Sequence, residues 1–139
     1  MNKWNQSYGF LLGKILQQME GKFAEGLIPF RINARQYGVL LFIQENPNSS
    51  QKDISENLQI DRTTMVSHID YLEGLGFVER TKNPNDRRSY SLMITEKGNE
   101  VVDSRWEFLI NTESEVLAPL NQQERQLLKD FLVKIWRSL

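Results

Sequence analysis

The sequence predicts a mainly α-helical fold with one small β-hairpin, an α+β arrangement in a single domain covering residues 1–139. Three observations support this fold class. Apolar residues recur every three or four positions, helix-capping residues separate these stretches, and two short runs of alternating polarity flank one turn. With 40% hydrophobic residues in 139, the chain can bury a core. It has no cysteine, which excludes disulfides, thiol nucleophiles and thiol redox sensing.

The first predicted helix begins near Trp4, and its apolar residues share one broad face. These residues are Trp4, Tyr8, Leu11, Leu12, Ile15, Met19 and Phe23. Pro29 favours a break after this helix, because proline has no backbone N–H to donate. Polar residues interrupt the N-terminal stretch, so it resembles neither a signal peptide nor a membrane span. We therefore expect a cytoplasmic protein without a membrane partner.

Three shorter helices follow, and each starts at a residue that can cap a helix. The pairs Asn33 with Gln36 and Ser50 with Asp53 have capping-box spacing, and Asp61 can cap the fourth helix. The second helix ends before Pro47, and Gly74 and Gly76 signal the end of the fourth. On the fourth helix, the inward-facing residues are Met65, Ile69 and Leu72.

A two-stranded hairpin is predicted next, from residues 77–81 and 89–94, on either side of a Pro-Asn-Asp turn. Thr95 then caps a long helix, whose apolar residues are Val102, Trp106, Leu109, Val116 and Leu120. Pro119 marks its end, and Asn121 with Glu124 begins the last helix. This order is that of a winged helix-turn-helix (residues 33–95) with long helical dimerisation segments at 1–28 and 96–139.

The pattern of polar residues predicts contacts with double-stranded DNA. A helix-turn-helix presents the start of its second helix to the major groove, where Arg62, Thr63, Thr64 and Ser67 would lie. Arg62 can pair with phosphate or a guanine edge, and the two threonines can donate to phosphate or touch a thymine methyl. Ser50 and Gln51, at the start of the third helix, complete this part of the predicted interface.

The hairpin carries the second part of the predicted DNA interface, namely Lys82, Asp86, Arg87 and Arg88. A wing can place an arginine in a narrow minor groove, where the negative potential is strong. Asp86 can accept a hydrogen bond from a guanidinium two residues away and restrict its rotamers. We therefore predict that Arg88 enters the minor groove and that Arg87 contacts phosphate.

Each of these residues also has a simpler interpretation. Two adjacent threonines are ordinary on a helix surface, and a charged turn is usually only solvated. The combination of a polar recognition helix with a cationic hairpin favours DNA. His68 is the only histidine, so it cannot form a metal site or a catalytic pair by itself, and packing at the edge of the core is expected.

Residues 61–98, DRTTMVSHIDYLEGLGFVERTKNPNDRRSYSLMITEKG, resemble the MarR family of bacterial transcription regulators. The matching motifs are Asp-x-Arg in the wing (Asp86, Arg88), Leu-Glu-x-x-Gly at the end of the recognition helix (Leu72, Glu73, Gly76) and Thr-x-x-Gly after the hairpin (Thr95, Gly98). Ser67 departs from the pattern, since many relatives carry a basic residue there. The resemblance implies a homodimer on a pseudo-palindromic operator, usually a repressor, often released by a small anionic or phenolic ligand.

The terminal helices favour the dimer independently, because their apolar faces exceed what a small winged core can cover. The predicted dimerisation residues are Trp4, Tyr8, Leu11, Trp106, Leu109, Phe131, Ile135 and Trp136. Burial of apolar surface at ~25 cal/mol per Å² favours association. In the competing interpretation, these helices pack only on one another within a monomer.

Two other classes of function compete with DNA binding. An enzyme is disfavoured, since the chain has one histidine, no Gly-rich phosphate loop and no zinc-helix motif, so no cofactor is expected. A winged helix can instead serve as a protein-interaction module without specific DNA binding. That alternative leaves the two wing arginines without a role.

Overall fold

The computed structural model describes residues 2–83 and 86–139, and the side chains of Asp86 and Arg87 lie outside the described part. Six α-helices and a three-stranded sheet occur in this part of the chain. The helices are α1 (Tyr8–Leu27), α2 (Ala34–Glu45), α3 (Gln51–Leu58), α4 (Arg62–Gly74), α5 (Glu96–Val116) and α6 (Gln122–Ser138). The strands are β1 (Ser49–Ser50), β2 (Val78–Asn83) and β3 (Asp86–Ile94). The predicted fold class, mainly α with a small β element, is confirmed.

The chain forms two compact units. Residues 24–107 form the winged unit, and residues 1–23 with 108–139 form the helical unit. The segment predicted as the DNA-binding core, residues 33–95, lies within the winged unit. Its assignment as a functional domain, and that of 1–28 and 96–139 as a dimerisation region, stay predictions.

The winged unit is built around side chains that are entirely inaccessible to solvent. They come from α2, α3, α4 and the sheet: Val39, Leu40, Ile43, Ile54, Met65, Ile69, Leu72 and Leu92. The inward-facing residues predicted on α4 are all among them. Because burial fixes the inner face of α4, the opposite face of this helix is directed to solvent.

Capping residues set the helix starts as the sequence predicts. Complete capping boxes join Asn33 with Gln36, Ser50 with Asp53, and Asn121 with Glu124. Asp61 caps α4. These caps satisfy backbone N–H groups that have no partner within the helix, which fixes where each helix begins.

The wing is larger than predicted. β2 and β3 are antiparallel, with Val78 opposite Ile94 and Lys82 opposite Tyr90, so the strands extend beyond residues 77–81 and 89–94. A third strand, β1, pairs Ser49 with Leu92, which gives the order β1-β3-β2. The prediction of a two-stranded hairpin is therefore wrong in this respect, since two serines carry no pattern of alternating polarity.

A tight junction connects the wing to α5. The Thr95 hydroxyl donates to the Gly76 carbonyl oxygen (2.6 Å) and accepts from the Gly98 backbone N–H (3.0 Å). A Cβ atom on Gly98 would lie 2.2 Å from the Phe77 carbonyl oxygen, so no larger residue fits without movement of the backbone. Gly76 has φ +81°, a conformation that glycine adopts without steric cost. The Thr-x-x-Gly motif is therefore a packing requirement of this junction.

In the helical unit, two boundaries differ from the prediction. Trp4 lies in a 3₁₀ turn, Trp4–Gln6, that precedes α1. The Ser7 hydroxyl accepts a hydrogen bond from the Phe10 backbone N–H at the start of α1. The fifth helix ends at Val116, so Leu120 lies beyond it. The Arg125 guanidinium donates to the Ser114 hydroxyl (2.7 Å) in this region. The cap at Ser7 accounts for the later start of α1.

Candidate nucleic-acid interface

The recognition helix α4 begins at a negatively charged cap. The Asp61 carboxylate accepts hydrogen bonds from the Thr64 backbone N–H (2.8 Å) and the Thr64 hydroxyl (2.7 Å). These bonds, the backbone one foremost, hold the pKa of Asp61 below its ordinary value, so the carboxylate is ionised at neutral pH. Since the Thr64 hydroxyl proton is committed to Asp61, donation to a phosphate would require breaking that bond. The methyl group of Thr64 is unaffected by this constraint.

The solvent-facing side of α4 carries most of the predicted base contacts. Arg62, Thr63 and Ser67 are exposed, and Thr64 is half-buried. Val66 also faces solvent, with 41% of its surface exposed, although its apolar character did not mark it as a candidate. It lies one turn after Arg62, and a branched apolar side chain can contact a thymine methyl group.

One groove brings the predicted residues of three elements together. Its lining comes from the start of α3 (Ser50, Gln51, Lys52, Ser55), from α4 (Arg62, Val66) and from β3 (Arg88, Ser89, Tyr90). Of the eight predicted DNA-binding residues whose side chains are described, four line it: Ser50, Gln51, Arg62 and Arg88. The helix-turn-helix and the wing therefore present one continuous surface.

The electrostatic character of this groove is cationic. Lys52, Arg62 and Arg88 line it, and no carboxylate does among the lining residues that the structure describes. The whole chain has a net charge of −1. Positive charge is thus concentrated locally on a nearly neutral protein, an arrangement that attracts polyanions.

The other predicted residues with described side chains lie outside the groove. Thr63 and Ser67 are exposed on α4 outside the groove, and Lys82 is exposed on β2. The side chains of Asp86 and Arg87 lie outside the described part of the chain. The predicted Asp86 contact with a guanidinium and the phosphate contact of Arg87 therefore stay predictions.

Tyr90 was missed as a candidate, although the sequence contained a signal for it. Half of its surface is exposed, and it lines the groove beside Ser89. Alternate residues of a strand share a face, so Tyr90 follows from Arg88 two positions earlier. Lys52 was missed for a different reason, because its position in the groove depends on how α3 packs against the wing.

His68 has the structural position that was expected of it. It is half-buried on α4, and its Nε2 atom has no hydrogen-bond partner within the described residues. Across residues 2–83 and 86–139, no group of three or more His, Cys, Asp or Glu side chains could hold a metal ion. Nothing in this arrangement suggests catalysis by His68.

The residues predicted for dimerisation expose apolar surface. Those that are exposed are Trp4, Tyr8, Trp106, Phe131, Ile135 and Trp136, while Leu11 and Leu109 are half-buried. In the helical unit, α6 buries none of its residues. An amphipathic helix without any buried residue has an apolar face that still lacks a partner.

Fold and groove together define a winged helix-turn-helix protein with a cationic face. The MarR family profile matches residues 32–90, which hold α2 to α4 and most of the wing. A curated relative is the transcriptional regulator BilQ of Clostridioides difficile, 33% identical over 93 residues, which are 63% of this chain and 63% of BilQ. Another is a putative transcriptional regulatory protein for the hcr operon of Thauera aromatica, 30% identical over 73% of this chain and 61% of that protein. The chain thus spans about three-fifths of the length of these two relatives.

Solved structures resemble the chain over nearly its whole length. The transcriptional repressor CouR, bound to a 23-mer DNA duplex, has a TM-score of 0.87 at 29% identity and covers 97% of this chain and 96% of its own. A cysteine-to-serine mutant of MarR from E. coli, complexed with operator DNA, has a TM-score of 0.84 at 25% identity, with 97% and 99% covered. The chain is therefore similar to the MarR family in sequence and in fold.

These comparisons confirm the prediction of a non-enzymatic protein, since the MarR family members that the chain resembles are transcriptional regulators. The described part of the chain contains no helix with the length and apolar character needed to cross a bilayer.

Proposed function

We propose that the protein is a sequence-specific, DNA-binding transcriptional regulator. The observation that carries this proposal is one cationic groove, where the start of α3, the recognition helix and the wing each supply polar or cationic side chains. CouR and MarR, which have the same fold, have each been solved in complex with DNA. Base reading is assigned to α4, and phosphate contacts to the cations around it.

The proposed residue roles combine this geometry with the sequence, and the roles of Asp86 and Arg87 rest on the sequence alone. Arg62, Thr63, Thr64 and Ser67 read or border the major groove, and Ser50 and Gln51 contact the backbone beside it. Arg88 enters the minor groove, with Lys82 and Arg87 on phosphates and Asp86 orienting a guanidinium. Thr64 contributes its methyl group, because Asp61 holds its hydroxyl proton.

The protein acts as a homodimer in this proposal. The support is the uncovered apolar surface of α6, where Phe131 and Ile135 are 58% and 56% exposed. Such a surface is stabilised by a second copy, and a two-fold axis would pair equivalent helices. Two recognition helices would then meet half-sites about 34 Å apart, one turn of DNA, or a multiple of it, on a pseudo-palindromic operator.

Repression, with release by a small anionic or phenolic ligand, completes the proposal. A ligand can change DNA affinity only through a different affinity for the two conformations, and a tenfold loss needs ~1.4 kcal/mol of coupling. Titration of candidate phenolic acids against a bound operator tests this part. Unchanged operator affinity across such a panel would remove ligand control from the proposal while leaving DNA binding intact.

The decisive experiment is a salt series of binding to a library of genomic fragments. Enrichment of a two-fold-symmetric site is expected, with affinity that falls as salt rises by a log–log slope of about 0.9 per phosphate contact. Folded protein that binds no fragment, or all fragments equally, would contradict the proposal and favour a protein-interaction module.

A further inference from the structure

The guanidinium of Arg80, on β2, donates hydrogen bonds to three other side chains. Its Nη1 donates to Glu73 Oε1 (2.8 Å), its Nη2 to Asp70 Oδ1 (2.5 Å) and its Nε to Gln51 Oε1 (3.0 Å). The Arg80 backbone N–H also donates to Glu73 Oε2 (3.2 Å). Only 18% of the side chain is exposed. One guanidinium therefore ties the wing to both the recognition helix and α3.

The chemistry of this cluster requires an arginine. The guanidinium offers donors in a fixed planar fork, and here each of its three nitrogens serves a different side chain. A lysine ammonium is a point charge on a flexible stem and cannot hold three partners in these directions. The two carboxylates lie three residues apart on one face of α4, so they form a ready acceptor pair.

The contact with Gln51 also bears on the predicted DNA interface. A guanidinium has no acceptor, so the amide oxygen of Gln51 must face Arg80. Fixing the oxygen fixes the plane of the amide, and the Nε2 group then points in a set direction. Gln51 lines the cationic groove, where a donor held in one orientation suits a phosphate oxygen.

We propose that Arg80 is a positioning residue for DNA recognition, which holds the start of α3, the recognition helix and the wing in the relative geometry that an operator requires. This inference rests on the proposed function. Arg80 itself does not line the groove, and its acceptors neutralise it, so it acts through the residues that it orients.

The test compares four proteins: wild type, Arg80→Met, Arg80→Lys and Arg137→Met. The last removes the same charge from an exposed residue of α6 and controls for net charge. Each is titrated with the highest-affinity duplex that wild type selects from a random library, and with a scrambled duplex of equal length. Circular dichroism and thermal unfolding check the fold of each variant.

Arg80→Met is expected to weaken binding to the selected duplex by about tenfold or more, the size expected when base contacts lose their alignment. Binding to the scrambled duplex should change less than about twofold, with the same salt slope, because no phosphate contact is lost. Arg80→Lys should also lose preference for the selected duplex. Amide hydrogen exchange in β2 and β3 should accelerate in both variants, while that in α2 should not.

Three outcomes would overturn the role of Arg80. Arg80→Lys could match wild type, which would make charge alone sufficient. Both folded variants could retain the preference, or binding to both duplexes could fall in parallel, as expected for a direct phosphate contact. Wild type that selects no duplex would contradict the proposed function itself, which is a separate result.

Discussion

The winged unit and α6 of the helical unit differ in how far their apolar side chains are exposed to solvent. The winged unit encloses a core of apolar side chains and presents cations and hydroxyls in its groove, whereas α6 buries no residue and leaves side chains such as Phe131 and Trp136 exposed. The winged unit therefore has a buried core and a surface suited to a polyanion. The helical unit keeps an exposed apolar face, which a second protein surface can bury. Substitutions in the two units should therefore have different consequences.

The largest effect is expected from charge on the exposed face of α6. The double variant Phe131→Asp, Ile135→Asp should dissociate the proposed dimer, because each apolar side chain no longer buried costs about 1.5–3 kcal/mol and each protomer contributes two. Sedimentation equilibrium measures the change. Helix content should persist, since both side chains are already exposed in one chain.

Gln123→Asp is the control for added charge, because it changes an exposed polar position of the same helix. It should remain as dimeric as wild type. A double variant that still sediments as a dimer would place the interface elsewhere.

The next effect contrasts one glycine from each unit. Gly98→Ala should destabilise the protein by about 3 kcal/mol, because the new Cβ meets the Phe77 carbonyl oxygen and the backbone must move. Gly21→Ala, on α1, meets no atom within 4 Å and should stabilise by about 0.5–1 kcal/mol through helix propensity. Urea unfolding of both variants measures the contrast. Equal effects of the two substitutions would contradict the tight junction at Gly98.

The third effect concerns binding rather than folding. Arg88→Ala should weaken operator binding by about 1–3 kcal/mol without lowering the free energy of unfolding. Arg87→Ala should instead reduce the salt slope by about one. Fluorescence anisotropy at several salt concentrations separates the two. Wild-type affinity in Arg88→Ala would remove the wing from the proposed interface.

The smallest effect tests the closed core of the winged unit. The buried Tyr37 hydroxyl donates to the Val102 carbonyl oxygen (2.8 Å), and Tyr37→Phe should cost about 1–2 kcal/mol. Burial, followed by the negative charge of Asp103 and opposed by Arg105, raises the pKa of Tyr37 to about 12. The unfolded chain loses this proton near pH 10 and the folded chain does not, so wild-type stability should fall between pH 10 and 12.

Urea titrations at several alkaline pH values measure that slope, which should be shallower in Tyr37→Phe. Tyr8→Phe, at a position 84% exposed, is the matched control and should keep the wild-type slope. A slope that is the same in all three proteins would mean that Tyr37 ionises equally in both states.

Most of the fold could be predicted from signals between residues that are close in the sequence. Capping boxes such as Ser50 with Asp53 depend on neighbouring residues only, so their positions could be predicted. Strand β1 could not, because two serines become a strand only when β3 lies beside them. In the same way, the exposure of Arg62 follows from helix periodicity, whereas the link from Arg80 to Gln51 joins residues 29 positions apart. Strand β1 and the Arg80 contacts were therefore missed because both depend on tertiary packing.

The sheet order β1-β3-β2 also has a consequence for solubility. β3 is paired on both sides, so β2 is an edge strand among the described strands, and such edges invite aggregation by pairing with another molecule. Glu79 and Lys82 are exposed along β2, and charges on an edge oppose that pairing. The lysine proposed to meet a phosphate when DNA is bound therefore also protects the wing when DNA is absent.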